Sequence, residues 1–415
     1  MTATDLESTG TGEDRALADS GVASGSTRNF VLNTRPLFKL MVEKKASDLF
    51  FTSNSPIKIK IEGRIIPVNR QVLTADQVRQ AAFGLMNQEQ IDYFQQELEI
   101  DFAVSEPGLG RFRVAVFHQR GNPAMVLRYI TAEMPSFEEL GLPTIMKELV
   151  MIKRGLVLVV GATGSGKSTS LAAMINHRNL NSSDHILTVE DPIEYLLRHK
   201  RCVVNQREVG HDTRSYENAL ANALREAPDL LLIGEVRDRA TMQHALTHAL
   251  TGNLCLTTLH ATNSYHALSR IINMYPQDAR SGLLADLSYG LKAIIGQRLV
   301  KTKNGSLQPA VEVLINTKLV AEFIAAGEMH KIKEAMEQSL TPGSCTFEQA
   351  LAKLYLAGTI DYEQALSASD SPTNLAWLIN QSQQHAQASG SRARGQPSAN
   401  FDEFDLAGRQ PEAAR

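Results

Sequence analysis

From Leu156 the chain reads Leu-Val-Leu-Val-Val-Gly161-Ala162-Thr163-Gly164-Ser165-Gly166-Lys167-Ser168-Thr169. An apolar, β-branched run leads directly into G-x-x-x-x-G-K-[ST], the spacing of a phosphate-cradling loop set between a strand and a helix. Glycines let the backbone curl until successive N–H groups and the start of the following helix face one anion. Lys167 supplies a compact positive charge to the β and γ oxygens, and the Ser168 hydroxyl suits Mg²⁺. Thr169 is expected to cap the α-phosphate side. The chemistry implied is the binding of ATP with Mg²⁺.

Hydrolysis needs a carboxylate near the metal to orient or activate water, and two acidic candidates stand at strand ends. Glu190-Asp191-Pro192-Ile193-Glu194 follows the apolar run from Ile186, and Glu235 ends Leu230-Leu-Leu-Ile-Gly-Glu. His260 closes Leu254-Cys-Leu-Thr-Thr-Leu, where a γ-phosphate sensor would sit; a strand-end histidine is by itself more often structural. His244 and His248 share i, i+4 spacing but lack the glutamate of H-E-x-x-H. They are expected on a solvated or interface face of a helix rather than on a metal.

The elements that must position these residues alternate. Strands are expected at Leu156 to Val160, Ile186 to Glu190, Asp229 to Gly234 and Leu254 to Leu259. Helices are expected around Ser168 to His177, Tyr216 to Arg225 and Arg239 to Leu250. Such alternation predicts parallel strands with crossover helices, a RecA-like α/β core. After Ser281 the pattern reads as mostly helical, with capping-box spacing at Thr346 to Gln349 and Asp361 to Gln364. Ahead of the core, residues 30–134 mix short alternating runs with helical patterns and predict a small α/β domain built on an antiparallel sheet. Pro135 to Pro143 is the expected linker, and the core with its C-terminal helices spans 144–380. Residues 1–29 and 381–415 lack apolar periodicity and are expected to be a disordered leader and tail.

The 415 residues carry 43% hydrophobic and 21% charged content and a formal net charge of −3, so there is no global basic footprint for nucleic acid or an anionic membrane. No apolar run is long enough to span a bilayer, and the N-terminus lacks the apolar region of a secretory signal, so a cytoplasmic location is expected. Cys202, Cys255 and Cys345 form no CxxC pair. They are expected to be free thiols, with no cysteine zinc site.

Over about residues 31 to 375 the sequence resembles the PilT/PilU family of type IV pilus retraction ATPases, within the type II/IV secretion ATPase superfamily. The resemblance rests on a Walker A box at Gly161 to Ser168, an Asp box at Ile186 to Glu194, a Walker B box at Leu231 to Arg237, and a His box ending Thr257-Thr-Leu-His260. It implies a PAS-like N-terminal domain, Glu194 as the glutamate that polarises water, Glu235 as the acid near Mg²⁺ and His260 as the γ-phosphate sensor. It also implies a homo-hexamer in which N-terminal-domain arginines reach the nucleotide, a role matched by Arg111, Arg113 and Arg128. Arginine suits that role through its planar, bidentate fork.

The departures from the family pattern are specific. Asn253 stands where the family usually has histidine. The retraction signature A-I-R-N-L-I-R-E-G-K falls on Leu319 to Glu328, with Ala321 and Ala325 in place of its arginines and Glu328 in place of its lysine. These changes are similar to those of the PilU branch. They imply an accessory motor that assists a PilT-type retraction ATPase at an inner-membrane platform protein, peripherally associated with that machinery. A pilus-assembly or type II secretion ATPase is the alternative; those relatives usually carry a four-cysteine zinc insertion that this chain has no residues to build. A nucleotide-binding adaptor ring without turnover is a further alternative. A nucleic-acid motor would need a basic, aromatic-interleaved groove, and none is visible.

Overall fold

The computed structural model describes residues 33–61, 63–130, 134–339 and 341–392. The expected leader and the last part of the expected tail lie outside them. The chain forms two compact units, one ending at Tyr129 and the other starting at Ile130.

In the first unit a six-stranded sheet has the order β3-β2-β1-β6-β5-β4. Its strands are β1 (Asp48–Thr52), β2 (Pro56–Ile61), β3 (Arg64–Val72), β4 (Glu99–Glu106), β5 (Gly110–Gln119) and β6 (Asn122–Ile130). β1 runs antiparallel to both β2 and β6. Arg120 and Gly121, both at positive φ, turn β5 into β6 as a two-residue hairpin loop whose backbone twist matches the strands. Helix Arg35–Glu43 buries Phe38 and Met41, and the Phe38 ring stacks on Phe112 of β5 at 4.3 Å. Helices Ala75–Phe83 and Gln88–Glu97 each begin with a reciprocal capping box, Thr74 with Gln77 and Asn87 with Gln90.

The second unit is built on seven strands: β7 (Gly155–Val160), β8 (His185–Glu190), β9 (Val203–Glu208), β10 (Leu230–Ile233), β11 (Leu254–Leu259), β12 (Leu291–Lys301) and β13 (Leu307–Ile315). Their order is β13-β12-β7-β11-β10-β8-β9, and every neighbouring pair is parallel except β12 with β13. β7, β10 and β11 are buried along their whole length, which is why they read as unbroken apolar runs rather than alternating ones. Side chains still alternate between faces. Leu156, Leu158 and Val160 enter one core while Val157 and Val159 enter another, so helices cover both sides of the sheet.

The sequence expectations need additions and corrections. The stretch after Ser281 is more helical than extended, as expected, but it also holds β12 and β13, an antiparallel hairpin that extends the sheet beyond the phosphate-loop strand. Gly305, at φ +86°, turns the chain between them, and the Asn304-Gly305 pair flanked by apolar runs is the sequence signal for such a turn. β9 was also unforeseen: it is an edge strand whose exposed and buried positions mix polar and apolar residues. His248 lies in the core with no exposed surface, its Nε2 3.4 Å from the Leu220 carbonyl, and burial pushes its pKa down. Finally, the last helix runs from Pro372 to Arg392, so residues 381–392 are helical. Glutamine and alanine extend a helix already nucleated on the buried Leu375 and Ile379 without paying again for its first turn.

Of the two expected capping boxes, the one at Thr346 and Gln349 forms, whereas Asp361 makes no side-chain cap. The stretch from Pro135 carries a turn of helix at Phe137–Leu140, begun by a Ser136–Glu139 capping box, and Phe137 is buried in the second unit's core. Among the described residues no helix is long and apolar enough to cross a membrane.

Candidate functional site: a phosphate loop ringed by strand ends

The carboxyl ends of the parallel strands are where an open α/β sheet leaves a crevice. The phosphate loop follows β7, Glu190 ends β8 with Asp191 to Glu194 following it, Glu235 follows β10 and His260 follows β11. Four motifs spread over 100 residues of sequence thus share one edge of one sheet.

The loop is held open by backbone conformations that favour glycine, with Gly164 at φ +79° and Gly166 at φ +85°. Gly166 starts the helix Lys167–Asn181 without a side-chain cap, so the first backbone N–H groups of that helix face the loop. Lys167 is buried, and its Nζ donates to the Gly161 and Ala162 carbonyls at 3.0 and 2.9 Å. Burial pushes the lysine's pKa down, and the charges of Glu235 and Glu194 partly offset this. Both candidate carboxylates therefore act on the lysine.

Glu235 is the hub of the acidic side. His260 Nε2 lies 3.1 Å from one of its oxygens, and Arg237 grips the other at 3.1 Å while reaching Asp191 at 3.5 Å. The guanidinium thereby ties the Walker B strand end to the Asp box. The ends of β10 and β11 are knitted by Thr258 Oγ1 donating to the Gly234 carbonyl at 2.7 Å. Gly234 packs so tightly that a Cβ there would stand 2.9 Å from the Tyr216 hydroxyl.

The two glutamates of the Asp box differ in kind. Burial raises the pKa of Glu190, which accepts from Thr188 Oγ1 at 2.7 Å and Gln206 Nε2 at 3.2 Å, so it is committed to the fold. Glu194 is exposed. Beside it, the Tyr195 hydroxyl bonds Thr169 Oγ1 at 2.9 Å and fastens this loop to the phosphate-loop helix.

A cleft of about 870 Å³ opens beside the loop, lined by Gly161 to Ser165, His260 and, from the C-terminal part, Arg298 and Asp370. Arg298 donates to Asp370 at 2.6 Å and to the Ala368 and Thr262 carbonyls at 2.7 and 3.0 Å, and it lies 4.0 Å over the Phe347 ring. Among the described residues no group of three or more His, Cys, Asp or Glu is arranged to hold a metal ion.

Arg111, Arg113 and Arg128 belong to the first unit. Arg113 pairs with Asp101 at 2.8 Å, and Arg128 with the buried Asp48 at 2.8 Å. The motif reading passed over Arg237, Tyr195 and Arg298. Arg237 was within view, two residues beyond Glu235; nothing in the spacing marks the other two.

Residues 30–391 match the model of the type II/IV secretion system protein family. The chain belongs to that family. It is 52% identical over 344 residues to the type IV pilus ATPase PilU of Pseudomonas aeruginosa, covering 83% of this chain and 90% of that one. It is 37% identical over 338 residues to the type IV pilus retraction ATPase PilT of the same organism, covering 81% and 98%. The crystal structure of the pilus retraction motor PilT with bound ADP superposes with a TM-score of 0.78 at 38% identity, covering 83% of this chain and 98% of that one. The chain is thus a nucleotide-binding ATPase of the PilT/PilU kind within the type II/IV secretion family.

Proposed function

We propose that the chain hydrolyses Mg-ATP at the carboxyl ends of β7, β8, β10 and β11. Acting as a homo-hexameric ring on the cytoplasmic side of the inner membrane, it assists type IV pilus retraction together with a PilT-type ATPase at a membrane platform protein. The observation that carries the reading is the meeting of Glu235 and His260 at 3.1 Å, with the Glu235 charge acting on Lys167, since it gathers the Walker A, Walker B and His boxes at one edge of the sheet.

In this reading Lys167 exchanges the Gly161 and Ala162 carbonyls for the β and γ oxygens of ATP. Ser168 and Glu235 are the residues to hold Mg²⁺, which when bound neutralises charge on the phosphates. Both offer the hard oxygen ligands the ion prefers, with phosphate oxygens and water completing the shell. Glu194, exposed, orients the attacking water, and His260 senses the γ-phosphate. Gly161 to Thr169 cradle the phosphate chain through their backbone. Arg113 is released from Asp101 at the small cost of a surface ion pair, roughly 0–1 kcal/mol. Arg128 gives up more, because Asp48 behind it is buried. Arg111 completes the group.

The accessory role is supported by the 52% identity to PilU and by helix Lys318–Ala326. Leu319, Glu322 and Ala325 lie exposed there, with no arginine among the helix residues. The test is to measure pilus retraction in cells whose principal retraction ATPase is present but catalytically disabled, comparing the wild-type chain with Glu194→Ala. Retraction should persist with the first and stop with the second, leaving pili abundant. Equal retraction with both would sink the motor reading, and loss of surface pili on deletion would point to assembly.

A further inference from the structure

β12 carries one buried amide side chain, Gln297, only 2% exposed, which reaches the phosphate loop from 130 residues further along the chain. Its Nε2 donates to the Ser165 carbonyl at 2.8 Å, and its Oε1 accepts from Ser170 Oγ at 2.7 Å. One carboxamide therefore joins the loop to the first turn of the helix that follows. The fit leaves no spare room. A Cβ on Gly166 would stand 2.8 Å from Nε2, and one on Gly161 2.5 Å from the backbone carbonyl oxygen of Gln297. Gly166 is thus required by the glutamine side chain as well as by a phosphate, while Gly161 is required by the backbone of β12.

A trans peptide is planar, with its C=O and N–H pointing in opposite directions. Whatever holds the Ser165 carbonyl outward also aims the Gly166 N–H the other way. We propose that Gln297 is a positioning residue for nucleotide binding: it points the Gly166 N–H at the phosphates and, through Ser170, sets the first helical turn. The proposal rests on the reading of Gly161 to Ser168 as the nucleotide cradle. Gln297 acts through the loop, so its effect falls on affinity for any phosphate chain the loop holds, ADP as well as ATP.

The experiment uses the purified full chain with Gln297→Met, which keeps the length and removes both hydrogen-bonding functions, and Ser170→Ala, which removes the other end of the bridge. ADP affinity is read by titration calorimetry, KM and kcat by steady-state hydrolysis of Mg-ATP, and folding by circular dichroism. Gln297→Met should weaken ADP binding and raise KM for ATP by roughly tenfold, the scale of one net hydrogen bond, with kcat kept within about twofold. Ser170→Ala should shift both in the same direction by about threefold, and it decides the matter if Gln297→Met does not fold. Unchanged ADP affinity in a folded variant would overturn the proposal, as would a fall in kcat at constant KM. A wild-type chain that binds ADP without turning over ATP would defeat the catalytic reading alone, and the ADP measurements would still decide Gln297. A wild-type chain that binds no ADP would overturn both.

Discussion

Glu312 offers a measurement of stability that no motif anticipates. It sits on β13, 4% exposed, and accepts from the Ser264 N–H at 2.7 Å. Burial raises its pKa from an ordinary 4.5 to about 7, with Asp370 adding to the rise while Ser264 and Arg298 oppose it. An acid whose pKa is raised by folding stabilises the native state only while protonated. Its contribution is complete below about pH 4.5 and is lost as the pH climbs through 7. Moving an acid from 4.5 to about 7 corresponds to roughly 3 kcal/mol at ~1.4 kcal/mol per pH unit. Glu312→Gln keeps the shape and the oxygen that accepts from Ser264 but cannot ionise. At pH 4, below the unfolded value, the variant and wild type should therefore melt together. At pH 8 the variant should be more stable by up to roughly 3 kcal/mol, a rise in Tm on the order of 3–5 °C. The assay is thermal denaturation of both proteins at the two pH values, read as the difference between them, so that other titrating groups cancel. An offset equal at both pH values would refute the argument, because the carboxyl would then be ionised, or neutral, throughout.

Two further outcomes follow from local geometry. Gly166→Ala places a Cβ on a residue at φ +85° and 2.8 Å from Gln297 Nε2, and should cost about 1–2 kcal/mol in denaturant unfolding while raising KM for ATP. Thr346→Ala removes the buried cap of helix Phe347–Leu356 and should cost about 1 kcal/mol in the same assay, leaving KM unchanged.

The core strands were legible because a strand buried on both faces leaves an uninterrupted apolar run bounded by the motif it delivers. β7 with its glycine loop is the clearest instance. The β12–β13 hairpin was hidden by the same property: buried stretches such as Ala293 to Ile295, and Val311 to Leu314 with the buried acid Glu312 inside it, show neither a period of two nor of 3.6, and only Asn304-Gly305 marked the turn. His248 illustrates a different limit. Spacing along a helix identifies which residues share a face but not whether that face meets water or, as here, the Leu220 carbonyl. The site divides in the same way. Lys167, Glu194, Glu235 and His260 stand in motifs tied to strand ends, while Gln297 and Arg298 matter through tertiary contacts that no local pattern encodes.

The bond between Arg298 and the C-terminal segment decides where a minimal catalytic fragment can end. Its guanidinium is sandwiched between the Phe347 ring, the Asp370 carboxylate and two backbone carbonyls, and Asn263 Nδ2 donates to the same Asp370 at 2.9 Å. A fragment cut after the last strand would leave this cation without its carboxylate, one residue from Gln297 and the phosphate loop. Limited proteolysis should accordingly find the nucleotide-binding fragment ending beyond Asp370, so that the C-terminal helices count as part of the enzyme rather than as an appendage to it.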